Sequence, residues 1–377
     1  MSLVFLHTAD WHIGKSFGGV PEDKRPILRE ARLSAIDRIA AAAVGAGAGH
    51  VLVGGDVFDS QLLSDRELRQ PIKKLSHHAR LTWHLLPGNH DPARAGGVWE
   101  RLLSHGLPPN VIVHLRPEPV VIGGAAVLLP APLTAKGTSL DPTGWMDQAA
   151  TPDGMPRIGL AHGSVQGFGT GMESAVPISP SRPTQAGLAY LALGDWHGVL
   201  QVNERVWYSG TPEPDRMPDN EPGFALIVRI DGPGAPPRVE RVATAHYCWH
   251  KRQIRVTGPG DLAALQTDLA RLAPTLDRVL LKLEVAGIVT MNAWAAITAQ
   301  LHALDPALFH CDADLSGLHA EPEPSEIAAL AAGELRDVAE RLRSLTLDPS
   351  DPRALAAGLA LKKLYLFARA GTAEAAP

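Results

Sequence analysis

The sequence has little of what marks secreted, membrane-spanning or disulfide-stabilised proteins. Its only cysteines are Cys248 and Cys311, and neither lies in a Cys-x-x-Cys pair. This argues against a disulfide framework and against a thiolate zinc site. No apolar run approaches the length of a membrane span, and no basic stretch precedes the apolar residues at the start, as it would in a secretion signal. We therefore expect a protein of the reducing cytoplasm without a membrane partner.

The sequence also lacks an excess of positive charge. It has 35 Lys and Arg against 40 Asp and Glu, a formal net charge of −5. A protein that binds nucleic acid through its surface alone usually has a basic excess. Any contact with DNA must therefore be local, assisted by metal ions or shared with a partner.

The length of 377 residues, 45% of them hydrophobic, allows one large and one smaller domain. In the first half, short apolar runs alternate with helix-like segments, which predicts an α/β domain. These segments are Leu3 to Leu6, Ile27 to Val44, Val51 to Val53, Leu68 to His77 and Leu81 to Leu86.

From Val111 onward, short strands separated by Gly and Pro predict a second sheet packed on the first. The strands are residues 120–122, 126–129, 158–161, 188–193, 206–208 and 224–230. The stretch from Gly163 to Pro183 is too long for an ordinary connection, and we interpret it as a functional loop.

After Trp249 the composition becomes rich in Ala and Leu, and Gly258-Pro259-Gly260 marks a break. We expect domains at residues 1–245 and 246–377, the second a smaller α+β domain with helices over residues 325–345 and 352–370. The apolar positions of these helices suit a partner-binding face and a domain core equally well. They are Leu330, Leu335, Val338, Leu342, Leu355, Leu359, Leu364 and Leu366.

Carboxylate, imidazole or amide groups follow five of the predicted strands. Sheets of α/β proteins present ligands at this end of their strands. The five segments are Asp10-Trp11-His12, Gly54-Gly55-Asp56-Val57-Phe58-Asp59, Pro87-Gly88-Asn89-His90-Asp91, His162-Gly163 and Gly194-Asp195-Trp196-His197.

Each segment also has an ordinary structural reading. Asp10 and His12 could belong to a surface loop, Asp56 could cap the next helix, and a lone histidine such as His162 is usually structural. Together, however, the segments supply oxygen and nitrogen ligands that suit manganese, iron or zinc. The set therefore predicts a metal centre.

The order of these segments resembles that of the calcineurin-like metallophosphoesterase superfamily over residues 1 to about 245. The run from His7 to Gly14 and the run Tyr208-Ser209-Gly210-Thr211-Pro212 resemble SbcD and Mre-type exonucleases. The resemblance implies a two-sheet αββα sandwich and two divalent metal ions, with manganese expected first and iron or zinc as alternatives.

Carried over by motif, one metal would be held by Asp10, His12, Asp56 and His197. The other would be held by Asp56, Asn89, His162 and Asp195, so that Asp56 bridges the two. The sequence departs from the family at Asp195, where a histidine is usual. Since carboxylates bind hard cations well, we expect Asp195 to be a true ligand.

Two further pairs of residues have expected roles. His90 is the candidate general acid or phosphate-stabilising group, with Asp91 orienting its ring, although His90 could also only brace the turn. Trp11 and Trp196 could stack on a nucleic-acid base, but core packing behind the metal loops is the favoured interpretation.

The resemblance implies a manganese-dependent DNA nuclease that uses a metal-activated water. It also implies a homodimer and a coiled-coil ATPase partner of the SbcC type. Two alternatives stay open: hydrolysis of a nucleotide or other small phosphodiester, and a weakly active DNA-binding or scaffolding subunit.

Overall fold

The structure is a computed structural model that describes residues 3–167, 176–217, 220–272, 275–321, 323, 325–326, 333–348 and 350–373. The chain forms two compact units, Met1–Tyr247 and Cys248–Pro377. No helix within the described ranges is both long enough and apolar enough to cross a membrane.

The first unit contains fourteen strands and four helices in the described residues. The strands are β1 (Leu3–Thr8), β2 (His50–Val53), β3 (Thr82–Leu85), β4 (Val111–Val113), β5 (Val120–Ile122), β6 (Ala126–Ala131), β7 (Arg157–His162), β8 (Ser164–Val165), β9 (Pro177–Ile178), β10 (Leu188–Gly194), β11 (Leu200–Asn203), β12 (Val206–Tyr208), β13 (Phe224–Ile230) and β14 (Arg238–Ala243). The helices are α1 (Arg25–Gly45), α2 (Asp65–His77), α3 (Val98–Ser104) and α4 (Arg182–Gln185).

Two six-stranded sheets form the framework of this unit. The first has the order β14-β13-β1-β2-β3-β4, and the second has the order β11-β12-β10-β7-β6-β5. Strands β1 to β4 are parallel, as are β6, β7, β10 and β12 in the second sheet. The predicted α/β class with two sheets is confirmed.

Two strands lie in a different sheet from the one that we predicted. Residues 224–230 form β13, which pairs antiparallel with β1 in the first sheet. Most residues of β13 are buried, so its pattern indicates burial but does not identify the neighbouring strand. Val111 to Val113 likewise joins the first sheet, beside β3.

Apolar side chains between the sheets and under the helices hold the layers together. Phe5, Leu52 and Leu160 are buried in the core between the two sheets. Ile36 and Ile39 of α1 pack on the outer face of the first sheet. Helix α2 begins with a capping box, in which Ser64 and Glu67 satisfy each other's backbone N–H groups. This packing fixes the ends of β1, β2 and β3, where the predicted ligands follow.

A row of three histidines crosses β2, β3 and the end of β4. His50 Nδ1 lies 3.1 Å from His84 Nε2, and His84 Nδ1 lies 3.0 Å from His114 Nε2. Burial lowers the pKa of His84 well below its ordinary value and lowers the pKa of His114 to about 4. The folded first unit therefore favours the neutral form of His84 and His114.

We expect His114→Gln to reduce the loss of stability in acid. Because the folded pKa of His114 is depressed, the unfolded chain binds the extra proton as the pH falls below 6.5, and stability decreases until the pH reaches about 4. This single group accounts for up to about 3 kcal/mol of that loss. Urea unfolding of the first unit between pH 7 and pH 4 measures the effect, with the exposed His77→Gln as the control. Parallel stability curves for the wild type and His114→Gln would contradict the expectation.

The second unit has three strands and four helices in its described residues. They are β15 (Cys248–Arg255), α5 (Asp261–Leu272), β16 (Val279–Val289), α6 (Met291–Leu304), β17 (His310–Ala320), α7 (Glu334–Thr346) and α8 (Ala354–Ala373). The strands form a parallel sheet in the order β15-β16-β17, which the sequence pattern alone did not reveal. Its core includes Leu269, Leu283 and Ile297.

The last two helices expose some of their predicted apolar positions and bury others. Leu335, Val338, Leu355 and Leu359 are exposed, whereas Leu342 and Leu364 pack around the buried Leu361 and Tyr365. Leu330 and the side chain of Leu366 lie outside the described residues, as do residues 327–332 of the helix predicted over 325–345. Part of these positions therefore belongs to a core and part is exposed, and a partner-binding face stays a prediction.

Candidate metal centre

Backbone hydrogen bonds join the loops that follow β1 and β2. The N–H of Asp10 donates to the carbonyl of Gly55 (3.1 Å), and the N–H of His12 donates to the carbonyl of Asp56 (2.9 Å). The N–H of Asp195, after β10, donates to the Asp10 carboxylate (3.0 Å). Residues far apart in the sequence are thus brought to one edge of the two sheets.

Four of the predicted ligands adopt the left-handed backbone conformation. The φ angles are 55° at Asp10, 43° at His12, 51° at Asp56 and 105° at Asp195. Such angles are uncommon outside glycine and cluster at functional sites, where the surrounding structure enforces them. Gly88 is needed for a different reason, because a Cβ there would lie 2.2 Å from Asp56 Oδ1.

Asp10, His12 and His197 form one group of potential ligands. Their ligand atoms lie within 4.8 Å of one another. His12 Nε2 and His197 Nε2 face each other at 3.2 Å. Asp10 and His12 are buried, so a cation held here would be largely shielded from water.

Asp10, Asp56 and His162 form a second group of the same size. Asp56 Oδ2 lies 3.7 Å from His12 Nε2 and 3.5 Å from His162 Nε2. This carboxylate therefore stands between the two groups, where a bridging ligand is expected.

The orientation of His162 supports a cation in the second group. Its Nδ1–H donates to the carbonyl of Gly54 (2.9 Å), so that Nε2 carries the lone pair in the neutral ring. Nε2 is buried without a hydrogen-bond partner and lies 3.7 Å from Asp195 Oδ1. A nitrogen lone pair opposite carboxylate oxygens is the arrangement of a metal ligand.

The pKa values of Asp10 and His162 also indicate that the buried carboxylates lack a compensating positive charge. Burial raises the pKa of Asp10 to about 7, and the carboxylates of Asp56 and Asp195 add to this effect. Burial alone would lower the pKa of His162, but the carboxylates of Asp56, Asp10 and Asp195 outweigh it and raise the pKa to about 9. Divalent cations would supply that positive charge, and the residues present therefore fit them.

Asn89 and Asp195 lie together beside the second group. Asn89 Nδ2 donates to Asp195 Oδ1 (3.2 Å), and Asn89 Oδ1 is buried without a hydrogen-bond partner. Asp195 Oδ2 accepts a hydrogen bond from Ser164 Oγ (2.6 Å). Ser164 belongs to the stretch 163–183 that we interpreted as a functional loop, of which residues 168–175 lie outside the described residues.

His90 lies beside the metal ligands, but Asp91 does not orient its ring as we had predicted. His90 Nδ1 lies 3.0 Å from the carbonyl oxygen of Asp59, and the His90 ring stands edge-on to His12 at 4.8 Å. The Asp91 carboxylate instead accepts hydrogen bonds from the N–H groups of Gly88 and Phe58. Asp91 is buried under the turn, so it braces the backbone that carries Asn89 and His90.

Two carboxylates that we had not assigned to the site contact histidines that we predicted as ligands. Asp59 Oδ1 lies 3.1 Å from His12 Nδ1, and Asp215 Oδ1 lies 3.2 Å from His197 Nδ1. Burial alone would raise the pKa of Asp215, but His197, Arg32 and Lys15 outweigh it and hold the pKa well below its usual range. Such carboxylates orient metal-binding imidazoles. Asp59 was visible as the last residue of its motif, whereas Asp215 follows the Tyr208 to Pro212 run without a signal of its own.

Arg32 of α1 links the loop after β1 to the loop that contains Asp215. Its guanidinium donates to the carbonyls of Asp10 (3.0 Å), Trp11 (2.7 Å) and Glu213 (2.6 Å) and to Thr211 Oγ1 (3.0 Å). The side chain is buried. Arg32 is therefore a positioning residue beneath the site, which the sequence analysis did not find.

The two tryptophans of the outer motifs differ in exposure. Trp11 is buried, donates to Thr8 Oγ1 and packs edge-on against Trp83, as expected for a core residue. Trp196 is 41% exposed, so core packing is the wrong interpretation for it. The strand β10 ends at Gly194, and the left-handed turn at Asp195 leads the chain to the surface.

Comparison with known proteins gives a family match for the segment that carries most of these residues. Residues 3–178 match the family model described as calcineurin-like phosphoesterase. A protein of Bacillus subtilis (strain 168), described as uncharacterized metallophosphoesterase YhaO, is 24% identical over 282 residues, which cover 70% of this chain and 65% of that protein. The crystal structure of TT1561 of Thermus thermophilus aligns at 12% identity and a TM-score of 0.42, covering 65% of this chain and 100% of that chain. Residues 3–178 are thus similar to calcineurin-like phosphoesterases, and the histidine and aspartate groups described above are of a kind that could hold metal ions.

Proposed function

We propose that the protein is a manganese-dependent DNA nuclease of the SbcD type that acts in DNA repair or end processing. The observation that carries the hydrolytic part is the carboxylate of Asp56, which stands between His12 and His162 in the position of a bridge between two cations. Two bound divalent ions would activate a water and neutralise charge on the phosphodiester. The DNA-directed part rests on the resemblance of residues 7–14 and 208–212 to SbcD and Mre-type exonucleases.

His90 is the residue that we assign to proton transfer or phosphate stabilisation. The contact between its Nδ1 and the Asp59 carbonyl fixes the ring, and Nε2 is left to serve a phosphate or leaving oxygen. The side chain is exposed, as a group that meets substrate must be. A protonated imidazole at this position can donate to the leaving oxygen of the cleaved ester.

We expect His90→Ala to retain metal and to lose turnover. The rate should fall by about 10²- to 10³-fold, since a positioned acid contributes about that much. Release of acid-soluble nucleotides from linear single- and double-stranded DNA with manganese measures the nuclease, and bis-nitrophenyl phosphate measures the general phosphodiesterase. His105→Ala, at an exposed histidine after α3, is the matched control. Full turnover by His90→Ala with normal metal content would exclude the acid role.

Two other functions each have one observation in their favour. The pocket of about 220 Å³ beside His197 favours hydrolysis of a small phosphodiester or nucleotide. The aspartate at position 195 favours a weakly active DNA-binding or scaffolding subunit, because its carboxylate forms hydrogen bonds with Asn89 and Ser164. Turnover of bis-nitrophenyl phosphate without DNA cleavage would favour the small substrate. No activity in either assay would favour the weakly active subunit.

The proposed assembly is a homodimer that works with a coiled-coil ATPase of the SbcC type. Exposed apolar side chains on α7 and α8 support a partner-binding role for this pair of helices. These side chains are Leu335, Val338, Leu355, Leu359 and Phe367.

A further inference from the structure

A pocket of about 220 Å³ adjoins the metal centre on the side of His197. Its wall includes Trp196, Arg216, Met217 and Asn220. The pocket thus combines an aromatic ring, a cation and an amide next to two of the predicted metal ligands. None of these four residues belongs to the ligand set.

Trp196 is the unusual part of this wall. It is exposed, although it lies between the predicted ligands Asp195 and His197. An aromatic side chain with this much of its surface exposed can offer a face to a ligand. Every nucleobase has a flat face that stacks on such a ring, regardless of sequence.

Arg216 places a positive charge at the same wall. Its Nη2 lies 2.9 Å from His197 Nδ1, and its Nε lies 3.3 Å from Asp215 Oδ1. Its side chain is nevertheless 62% exposed, so the guanidinium remains accessible to solvent and to a ligand. A guanidinium in this setting can bind a phosphate in bidentate fashion.

We propose that Trp196 and Arg216 form a nucleotide subsite beside the metal centre, in which Trp196 stacks on a nucleobase and Arg216 binds a phosphate of the same strand. This inference rests on the proposed phosphodiester hydrolysis and narrows its substrate class. A base inside a duplex is already stacked on both faces, so a base that stacks on Trp196 lies at the end of a strand or has left the duplex. The substrate is therefore a single strand, a DNA end or a short oligonucleotide.

The test uses two ligands that differ only in the base, dAMP and 2-deoxyribose 5-phosphate. Calorimetry on the full-length protein with manganese measures the dissociation constant of each. We expect the wild type to bind dAMP about tenfold more tightly, and we expect Trp196→Ala to lose that preference while Trp196→Tyr keeps most of it. An undiminished preference in Trp196→Ala would overturn the stacking role.

Arg216→Ala tests the phosphate contact separately. It should weaken both ligands together, by about five- to tenfold, because both carry the same phosphate. Arg238→Ala, at an exposed arginine paired with Asp231 in the β13–β14 turn, is the matched control and should bind both ligands like the wild type. Wild-type affinity for both ligands in Arg216→Ala would overturn this part of the subsite.

Turnover of the dinucleotide d(TpT) separates this inference from the proposed function. If the wild type hydrolyses d(TpT) and Trp196→Ala has the same KM, the subsite is overturned and the proposed phosphodiester hydrolysis stands. A wild type that hydrolyses no phosphodiester, but still distinguishes dAMP through Trp196, would overturn the hydrolysis and leave the subsite.

Discussion

Asp56→Asn is expected to reduce the bound metal from two ions per chain to at most one and to lower phosphodiester turnover by about 10³-fold, equivalent to about 4 kcal/mol in the transition state. Asp56 Oδ2 lies within 3.7 Å of both His12 Nε2 and His162 Nε2. Asparagine can still accept the hydrogen bond from the His90 N–H (2.9 Å in the wild type), so the turn should persist. What is lost is the negative charge that a bridging ligand shares between two cations.

Metal content after dialysis, measured by mass spectrometry, and turnover of bis-nitrophenyl phosphate give the two readouts. Asp37→Asn is the matched control, because Asp37 lies on α1 and pairs with Lys74 and His78 on another part of the unit. Two bound ions in Asp56→Asn, at wild-type affinity, would contradict the bridging role. Circular dichroism on each variant separates loss of metal from loss of fold.

Arg32→Met is expected to lower the free energy of unfolding of the first unit by about 4 kcal/mol. The substitution removes one buried cation, and its four hydrogen-bond acceptors lose the guanidinium as a donor. These acceptors are the carbonyls of Asp10, Trp11 and Glu213 and the hydroxyl of Thr211. Arg32→Lys should recover only part of the loss, because one ammonium group cannot reach acceptors that a planar guanidinium reaches on several sides.

A second consequence of Arg32→Met is weaker metal binding, by about 10- to 100-fold, since Arg32 holds both the Asp10 loop and the loop that places Asp215 behind His197. Urea unfolding with hydrogen exchange of the β1 amides gives the stability of this unit, and calorimetry with manganese gives the affinity. Arg29→Met, at an exposed position of the same helix, is the control. A difference of less than about 1 kcal/mol between the two variants would contradict the structural role of Arg32, since surface substitutions cost about that little.

The predicted ligands could be found in the sequence because each follows a strand whose apolar run is visible locally. Asp10 follows β1, Asp56 follows β2 and His162 ends β7. The sequence pattern does not predict which side chains of these loops contact one another. We predicted that Asp91 orients His90, yet the Asp59 carbonyl contacts that ring and Asp91 binds the backbone under it. Adjacent residues in a turn can face opposite sides, so proximity in sequence did not decide the contact.

Long-range contacts had no sequence signal at all. Arg32 reaches Glu213 across 181 positions, and His84 meets residues 34 and 30 positions away on the neighbouring strands. The sequence does not distinguish an arginine in a helix or a histidine in a strand from ordinary surface or core residues. Their contacts depend on strand register and on packing. Trp196 is the reverse case, since an aromatic residue in a motif suggested burial and the left-handed turn at Asp195 exposed it.

The sequence by itself determined the α/β class, the chain order of the strand-end motifs and the oxygen and nitrogen character of the predicted metal ligands. These follow from periodicity and from residue chemistry, which are local properties. Only the tertiary structure decided that Asp56 stands between His12 and His162, that β13 joins the first sheet, and that Asp59 and Asp215 contact His12 and His197. These depend on which strands become neighbours and how their ends turn, and that is set by packing between residues far apart in the chain.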